Sequence, residues 1–134
     1  MFWGDDAPNR FPEAIPHNAT KLIAAALPDA APHAPADAHH IILTYSHAID
    51  LALCHALLPR PHASVGLIGS ATKKARFLKR LAEAGLPEAT TAKLVCPIGH
   101  RSLGKEPAAI ALGVAFRLLE TTRAEQKTSQ GDVA

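Results

Sequence analysis

Ser64-Val65-Gly66-Leu67-Ile68-Gly69-Ser70-Ala71-Thr72-Lys73-Lys74 is the stretch of this 134-residue sequence that decides the fold. It begins as a compact apolar run without alternation, which is typical of a strand buried on both faces in a parallel sheet. Gly69 and Ser70 then form a tight turn, and the segment from Ala71 to Ala84 has the pattern of a helix closed by Gly85. We therefore predict a strand from Ser64 to Ile68 that leads directly into a helix.

The same order of strand and helix occurs one step earlier in the chain. The apolar, β-branched run from Ile41 to Tyr45 predicts a second buried strand. Ser46 is suited to cap the helix that follows, and Pro59 ends that helix. Strands that alternate with helices favour an α/β fold with a parallel sheet.

The other elements carry weaker patterns. We predict further strands at Phe2 to Asp5 and at Lys93 to Cys96, and a final helix that has Pro107 in its first turn. A short helix is predicted from Thr20 to Leu27, where apolar residues recur at helical spacing.

Length and composition limit the possible functions. The chain is 48% hydrophobic, which supports one domain, placed over residues 1–123, with a polar and disordered tail over residues 124–134. A net charge of +2, from 14 basic and 12 acidic residues, is too balanced for a nucleic-acid-binding face. There is no Cys-x-x-Cys pair and no apolar leader or span, so we expect a cytoplasmic protein that does not bind membranes.

The strand ends supply the candidate chemistry. Gly69, Ser70, Thr72 and Lys73 surround the start of a helix, where free backbone N–H groups favour a phosphate or carboxylate. The plainer alternative is that the glycine turns the chain and a hydroxyl caps the helix while the lysines stay in solvent.

Two further candidates follow from residue type. His47 and Asp50 lie one helical turn apart, so the carboxylate could orient the imidazole, although a hydrogen-bond network at the start of the helix is the alternative. Cys96 precedes Pro97 and could bind a soft metal as a thiolate, although burial in the core is the alternative. For Cys54, on an apolar helix face, we predict a core position.

Taken together, several motifs resemble the C-terminal Rossmann-like domain of the XdhC/CoxI family. They are Ser46 to Leu53, Val65 to Phe77, Leu81 to Leu86, Cys96 to Gly99 and Lys105 to Ala111. They appear in the family's order and cover nearly everything from Ile41 to Leu119, and Trp3-Gly4-Asp5 resembles the family's second strand. The resemblance implies a three-layer, Rossmann-like parallel sheet whose first strand is missing.

The resemblance also implies a function. It indicates an accessory protein, not an enzyme, that binds molybdenum cofactor and inserts it into xanthine dehydrogenase or a related molybdenum hydroxylase. A cysteine desulfurase is a further candidate partner, and a homodimer is compatible with the family. The implied cofactor-binding residues are Gly69, Ser70, Thr72, Lys73, His47, Asp50 and Asp5, and the implied metal ligand is Cys96.

Three departures from the family pattern bear on this reading. No first strand or Gly-rich phosphate turn precedes Phe2, Tyr45 stands where the family usually has histidine, and His100 to Gly104 replaces the usual loop. The Rossmann resemblance leaves a fragment of a nucleotide-binding Rossmann oxidoreductase as one alternative, although the missing Gly-rich turn removes the site for a pyrophosphate. A non-functional remnant of a gene, whose chain starts late, is the other alternative. In a doubly wound order the first strand is central, so we expect a sheet divided between the strands at Phe2 and Ile41 and those at Ser64 and Lys93.

Overall fold

The computed structural model describes residues 1–131 and divides into two compact units, Met1–Cys96 and the segment that begins at Pro97. The sequence predicts one domain over residues 1–123, and the observed division falls within that range, after Cys96. The strands are β1 (Phe2–Asp5), β2 (Thr20–Ile23), β3 (His39–Ile42), β4 (Ser64–Leu67) and β5 (Leu94–Val95). The α-helices are α1 (His47–Leu57), α2 (Ala71–Glu83), α3 (Glu88–Thr91) and α4 (Pro107–Gly131), with 3-10 turns at Pro8–Arg10, Leu27–His33 and Arg101–Leu103.

All strand pairs within residues 1–131 are parallel, so the predicted α/β, Rossmann-like fold with parallel strands is confirmed. The division of the sheet is different from the expected one. β1 pairs with β2, and a second sheet has the order β3-β4-β5. The strand near Ile41 therefore lies with the strands at Ser64 and Leu94, and the prediction that grouped it with Phe2 is wrong.

The segment around Thr20 is a strand, which corrects the prediction of a helix from Thr20 to Leu27. Its four residues run beside β1, with Phe2 opposite Thr20 and Asp5 opposite Ile23. Leu27 then begins a 3-10 turn that buries its own side chain and that of Ala31. Pairing with a distant strand decides the conformation here, because four residues cannot show a reliable period.

The core of the first unit lies between the three-stranded sheet and its helices. At most 1% of each side chain is exposed for Val65 and Leu67 of β4, Cys54 of α1 and Leu81 of α2. Gly66, on the face of β4 opposite to Val65 and Leu67, is buried as well, so the prediction that this strand is buried on both faces is confirmed. Each flanking helix starts at a serine cap, Ser46 for α1 and Ser70 for α2, whose hydroxyl accepts a bond from a backbone N–H three residues later.

The second unit contains the long helix α4. Its Gly113 lies against the backbone of His100, where a Cβ would come within 2.7 Å of the His100 nitrogen. Leu112, Phe116 and Leu119 are exposed on this helix. α4 continues to Gly131, so residues 124–131 are helical and not the disordered tail that the sequence predicts; residues 132–134 of that tail lie outside the described residues.

None of the helices within residues 1–131 is long and apolar enough to cross a membrane.

Candidate functional site

The turn between β4 and α2 sits at the carboxyl end of the central strand of the three-stranded sheet. The Ser70 hydroxyl accepts a hydrogen bond from the Lys73 backbone nitrogen at 3.1 Å, which fixes the first turn of α2. The N–H groups before it have no partner within the helix and point outward with the positive end of the helix dipole. Ser70 and Thr72 are exposed, so this end of α2 is open to an anion.

The Lys73 side chain does not extend into solvent. Its ammonium group lies 2.7 Å from Asp50 Oδ2 and 3.1 Å from the carbonyl oxygen of Ile68. Only 9% of Lys73 is exposed, and Asp50 is 1% exposed. The predicted cation at the start of α2 is therefore already neutralised within the protein, and Lys74 is the basic residue of this turn that stays partly accessible.

Asp50 joins three parts of the site. Its Oδ1 accepts a hydrogen bond from the Thr44 backbone N–H at 2.8 Å, just beyond β3, while its Oδ2 pairs with Lys73 of α2. The carboxylate thus ties the end of β3 to the turn after β4. This is the hydrogen-bond network at the start of the helix that the sequence offered as an alternative to a His47–Asp50 pair.

His47 takes a different position from the one that a pair with Asp50 requires. It is exposed at the first residue of α1, and its ring packs edge-on against Phe77, with the ring centres 6.5 Å apart. The imidazole lies on the same side of the sheet ends as the start of α2. The ring contact that the structure shows for His47 is therefore with Phe77.

The absence of a side chain at Gly69 lets the turn pack closely against the Lys73 side chain. A Cβ at this position would lie 2.5 Å from Lys73 Cδ. Lys73 cannot easily move aside because its ammonium group is held by both Asp50 and Ile68. Glycine at position 69 therefore follows from the ion pair.

Cys96 follows β5 and reaches the same turn. It is 6% exposed, and its Sγ lies 3.7 Å from the Gly69 carbonyl oxygen and 3.9 Å from that of Ser70. Burial raises the pKa of the Cys96 thiol, although Lys73 and Lys74 oppose this shift. The group is thus a thiol that donates weakly to the turn. No cluster of three or more His, Cys, Asp or Glu residues suited to a metal occurs within the described part of the chain, so Cys96 as a metal ligand stays a prediction.

Cys54 lies deeper in the same region. It is fully buried in the core cluster, and burial, followed by repulsion from Asp50, raises its pKa to about 12. The prediction that it is a core residue is confirmed.

A second polar group lies at the carboxyl ends of β1 and β3. The Tyr45 hydroxyl donates to Asp6 Oδ2 at 2.5 Å. The Arg10 side chain forms ion pairs with Asp5 at 3.3 Å and Asp6 at 3.1 Å, and its guanidinium carbon lies 3.4 Å from the centre of the Tyr45 ring. The hydrogen bond from Tyr45 lowers the pKa of Asp6, and the same bond raises the pKa of Tyr45.

Beside this group lies a small and mostly apolar cavity of about 210 Å³. Asp6 is its acidic member, and the remaining lining is aliphatic: Ala25, Ala26, Leu27 and Pro28 after β2, and Ala48, Ile49 and Ala52 of α1. Because the lining is aliphatic with one carboxylate, the cavity suits a small apolar group better than a phosphate.

Comparison with known families identifies the chain. The family model described as the XdhC Rossmann domain matches residues 4–116. The chain belongs to the XdhC family. The match spans both structural units, and the resemblance found in the sequence is confirmed.

Two relatives show how much of a longer protein this XdhC domain represents. The chain is 28% identical over 109 residues to the uncharacterized protein YqeB of Escherichia coli K12, covering 81% of this chain but 20% of YqeB. It also resembles the crystal structure of a xanthine dehydrogenase from Bacillus halodurans, with a TM-score of 0.73 and 22% identity over 96% of this chain and 38% of that one. That structural likeness supports the fold.

The XdhC domain brings most of the predicted site residues together. Six of them surround the start of α2, while His47 lies at the first residue of α1; the six are Gly69, Ser70, Thr72, Lys73, Asp50 and Cys96. Asp5 lies apart from them, at the end of β1 with Arg10. Sequence reasoning missed Asp6, Arg10 and the role of Tyr45, although a double acid directly after a strand was a visible signal.

Proposed function

We propose that this XdhC domain acts as an accessory module that binds the molybdenum cofactor and helps to deliver it to xanthine dehydrogenase or a related molybdenum hydroxylase in the cytoplasm. The observation that carries the proposal is the family match over residues 4–116. In this role the protein has no reaction of its own to catalyse. It holds the cofactor, and a cysteine desulfurase or the target enzyme acts on what it presents.

The start of α2 fits the phosphate end of such a cofactor. The backbone N–H groups of Ala71 and Thr72 are free of helical partners, and the helix dipole favours negative charge at this end. Lys74 adds a cation that is not committed to Asp50. We assign the phosphate to Ser70, Thr72 and Lys74, with Gly69 permitting the close approach of the turn.

Other predicted residues take different roles in this proposal. Lys73 and Asp50 position the turn, because their side chains are used in a buried ion pair. His47 and Cys96 lie at the rim of the same strand ends and could contact the pterin or its metal. The cofactor, when bound, would supply the molybdenum and the pterin dithiolene. The protein supplies phosphate recognition at the exposed start of α2.

The proposal can be tested with molybdenum cofactor released from purified xanthine dehydrogenase. The chain and the cofactor are mixed without oxygen and passed over a gel-filtration column, and pterin in the protein fraction is measured by fluorescence after oxidation. Lys74→Ala should lower retention several-fold and make the remainder less sensitive to salt, since a phosphate contact is screened by ions. Lys79→Ala, an exposed lysine further along α2, is the matched control.

A second experiment, calorimetric titration with a dinucleotide, distinguishes the alternative function. A fragment of a nucleotide-binding oxidoreductase would bind NAD or NADP, whereas we expect no saturable binding of either at low micromolar concentration. Calorimetric titration with NAD showing such binding, together with no retention of the cofactor, would contradict the accessory role and favour the oxidoreductase reading.

A further inference from the structure

The cavity beside Asp6 has no part in the cofactor binding proposed above. Its lining residues all belong to the first compact unit, Met1–Cys96, and the residues assigned to the phosphate lie elsewhere, at the start of α2. Each wall of the cavity follows a strand or belongs to a helix: Asp6 follows β1, the segment from Ala25 to Pro28 follows β2, and the third wall is the first half of α1. The cavity is therefore a product of these loops and of α1, and it does not depend on how the sheet edges are paired.

The charge at this cavity is negative. Of the eight lining residues that the structure describes, Asp6 alone is ionisable. Arg10 forms ion pairs with both Asp5 and Asp6, at 3.3 and 3.1 Å, so one guanidinium faces two carboxylates and the group keeps a net negative charge. Asp29, next in sequence to the lining residue Pro28, adds another acid. A cavity in these surroundings repels an anion and attracts a cation.

The Asp6 carboxylate can accept further hydrogen bonds. Its Oδ1 accepts from Arg10 Nε, and its Oδ2 accepts from the Tyr45 hydroxyl. An ionised carboxylate has about four acceptor positions, so about two of them remain open. The bond from Tyr45 lowers the pKa of Asp6, which keeps the group ionised at neutral pH. The side chain of Asp6 is 22% exposed, so a donor placed in the cavity can reach it.

The rest of the lining favours an aliphatic ligand. Carbon atoms of alanine, leucine, isoleucine and proline side chains form the remaining surface. Methylene groups gain free energy when they leave water for such a surface. The cavity measures about 210 Å³, and a molecule of water takes up about 30 Å³ in the liquid, so a ligand of several non-hydrogen atoms fits. A short chain of methylene groups that ends in a cation matches both the aliphatic lining and the carboxylate.

We propose that this cavity binds a primary alkylammonium group, with the ammonium hydrogen-bonded to Asp6 and its methylene chain packed against Leu27 and Ile49. A small free amine and the side chain of a lysine on a partner polypeptide share this chemistry. The proposal does not depend on the cofactor role, because neither Lys74 nor any other residue at the start of α2 lines the cavity.

The test is an NMR titration of the complete chain with butylammonium, which reproduces a lysine side chain from Cβ to Nζ. We expect saturable shifts of the backbone amides around the cavity, above all those of Asp6, Leu27 and Ile49. Butyrate has a similar body and the opposite charge, and it should bind at least about tenfold more weakly because it cannot donate to the carboxylate. Methylammonium keeps the charge but lacks the aliphatic body, and it should also bind at least about tenfold more weakly.

Two variants of the chain assign the contacts. Asp6→Asn keeps the shape of the side chain and removes its charge, and Ala52→Leu fills the cavity from the α1 side. Each should weaken the binding of butylammonium at least about tenfold. Ala75→Leu makes the same change at an exposed position of α2 and should leave the affinity unchanged. Ala52→Leu leaves the bond between Tyr45 and Asp6 in place, so it decides the outcome if Asp6→Asn does not fold.

A second probe, Nα-acetyl-lysine methylamide, distinguishes the two sources of the ammonium group. If it binds at least as tightly as butylammonium, the site accepts a lysine of a partner polypeptide; if butylammonium alone binds, the ligand is a small free amine. Equal affinities for butylammonium and butyrate would overturn the proposal. So would the absence of saturable shifts at the cavity, or an affinity for butylammonium that Ala52→Leu leaves unchanged.

Discussion

Replacing Lys73 by methionine should destabilise the protein strongly. Methionine keeps most of the aliphatic chain but removes the ammonium group that lies 2.7 Å from Asp50 Oδ2. Asp50 would retain its bond from Thr44 and lose its counter-ion in a site that is 1% exposed. Leaving one charge of a buried pair without its partner costs about 3–5 kcal/mol. That is a large fraction of the ~5–15 kcal/mol by which small proteins are stable.

The measurement is urea denaturation at pH 7, followed by circular dichroism. With a slope of about 2 kcal/mol per molar urea, the midpoint should fall by about 2 M. Adding Asp50→Asn to the Lys73→Met chain removes the isolated charge while an amide oxygen can still accept from Thr44. The double variant should therefore recover about 1–3 kcal/mol, as expected for residues in direct contact.

Either of two results would refute this reasoning. A loss below about 1 kcal/mol for Lys73→Met would mean that water reaches Asp50 and replaces the lysine. If Lys73→Met does not fold at all, the double variant decides the matter, because a double variant that is no more stable than the single one shows that the isolated carboxylate is not the cause.

Three further predictions follow from the titrating groups. Burial, followed by repulsion from the neighbouring imidazoles, lowers the pKa of His40 below 6.5, so the unfolded chain binds more protons than the folded chain as the pH falls. The stability should therefore be fully present above pH 6.5 and decrease below it. The melting temperature of His40→Gln should depend less on pH between pH 7.5 and 5.5. Tyr45 is the sole tyrosine, so the rise in absorbance at alkaline pH reports its ionisation, which should occur above the ordinary pKa of 10. Asp6→Asn should return the pKa of Tyr45 toward 10. An unchanged pKa in that variant would show that the hydrogen bond to Asp6 does not cause the shift. Cys54, with a pKa of about 12, should not react with iodoacetamide at pH 8 until urea unfolds the chain. Fast labelling of Cys54 itself in the native protein, distinguished from Cys96 by mass spectrometry of peptides, would contradict its burial.

The strand and helix around Gly69 could be predicted from sequence because local rules agree there. A buried apolar run, a glycine turn and a serine cap each favour the same structure, and the observed β4 and α2 differ from the predicted bounds by only one residue at the ends. α1 follows for the same reason, with Ser46 as its cap.

β2 shows where local rules fail. Its four residues have no buried side chain, and they form a strand because β1 offers a parallel partner. The apolar spacing of Leu22, Ile23 and Ala26 fits a helix equally well over so short a length. The extent of α4 was missed differently, because its polar second half lacks the apolar face from which a packed helix is predicted.

The sequence predicts which residues belong to the candidate site, but it does not predict which of their side chains form hydrogen bonds or ion pairs with one another. Lys73 and Asp50 are 23 positions apart, and Tyr45 and Asp6 are 39 positions apart. No local period or spacing predicts such bonds, since they depend on which strand ends become neighbours. The sequence therefore predicts the position of the basic turn, but it predicts Lys73 as a ligand-binding or solvent-exposed residue, whereas the structure pairs Lys73 with Asp50.

The close packing at Gly69 has an evolutionary consequence. A methyl group at position 69 would clash with Lys73. Replacing Lys73 would in turn leave Asp50 without its counter-ion. Substitution of Gly69 is thus opposed by Lys73, and substitution of Lys73 or Asp50 is opposed by the other member of the ion pair, so the three positions should be inherited together. Among XdhC domains, a chain that carries a larger residue at the position of Gly69 should also have lost both the lysine and the acid, and should close the turn with an uncharged pair.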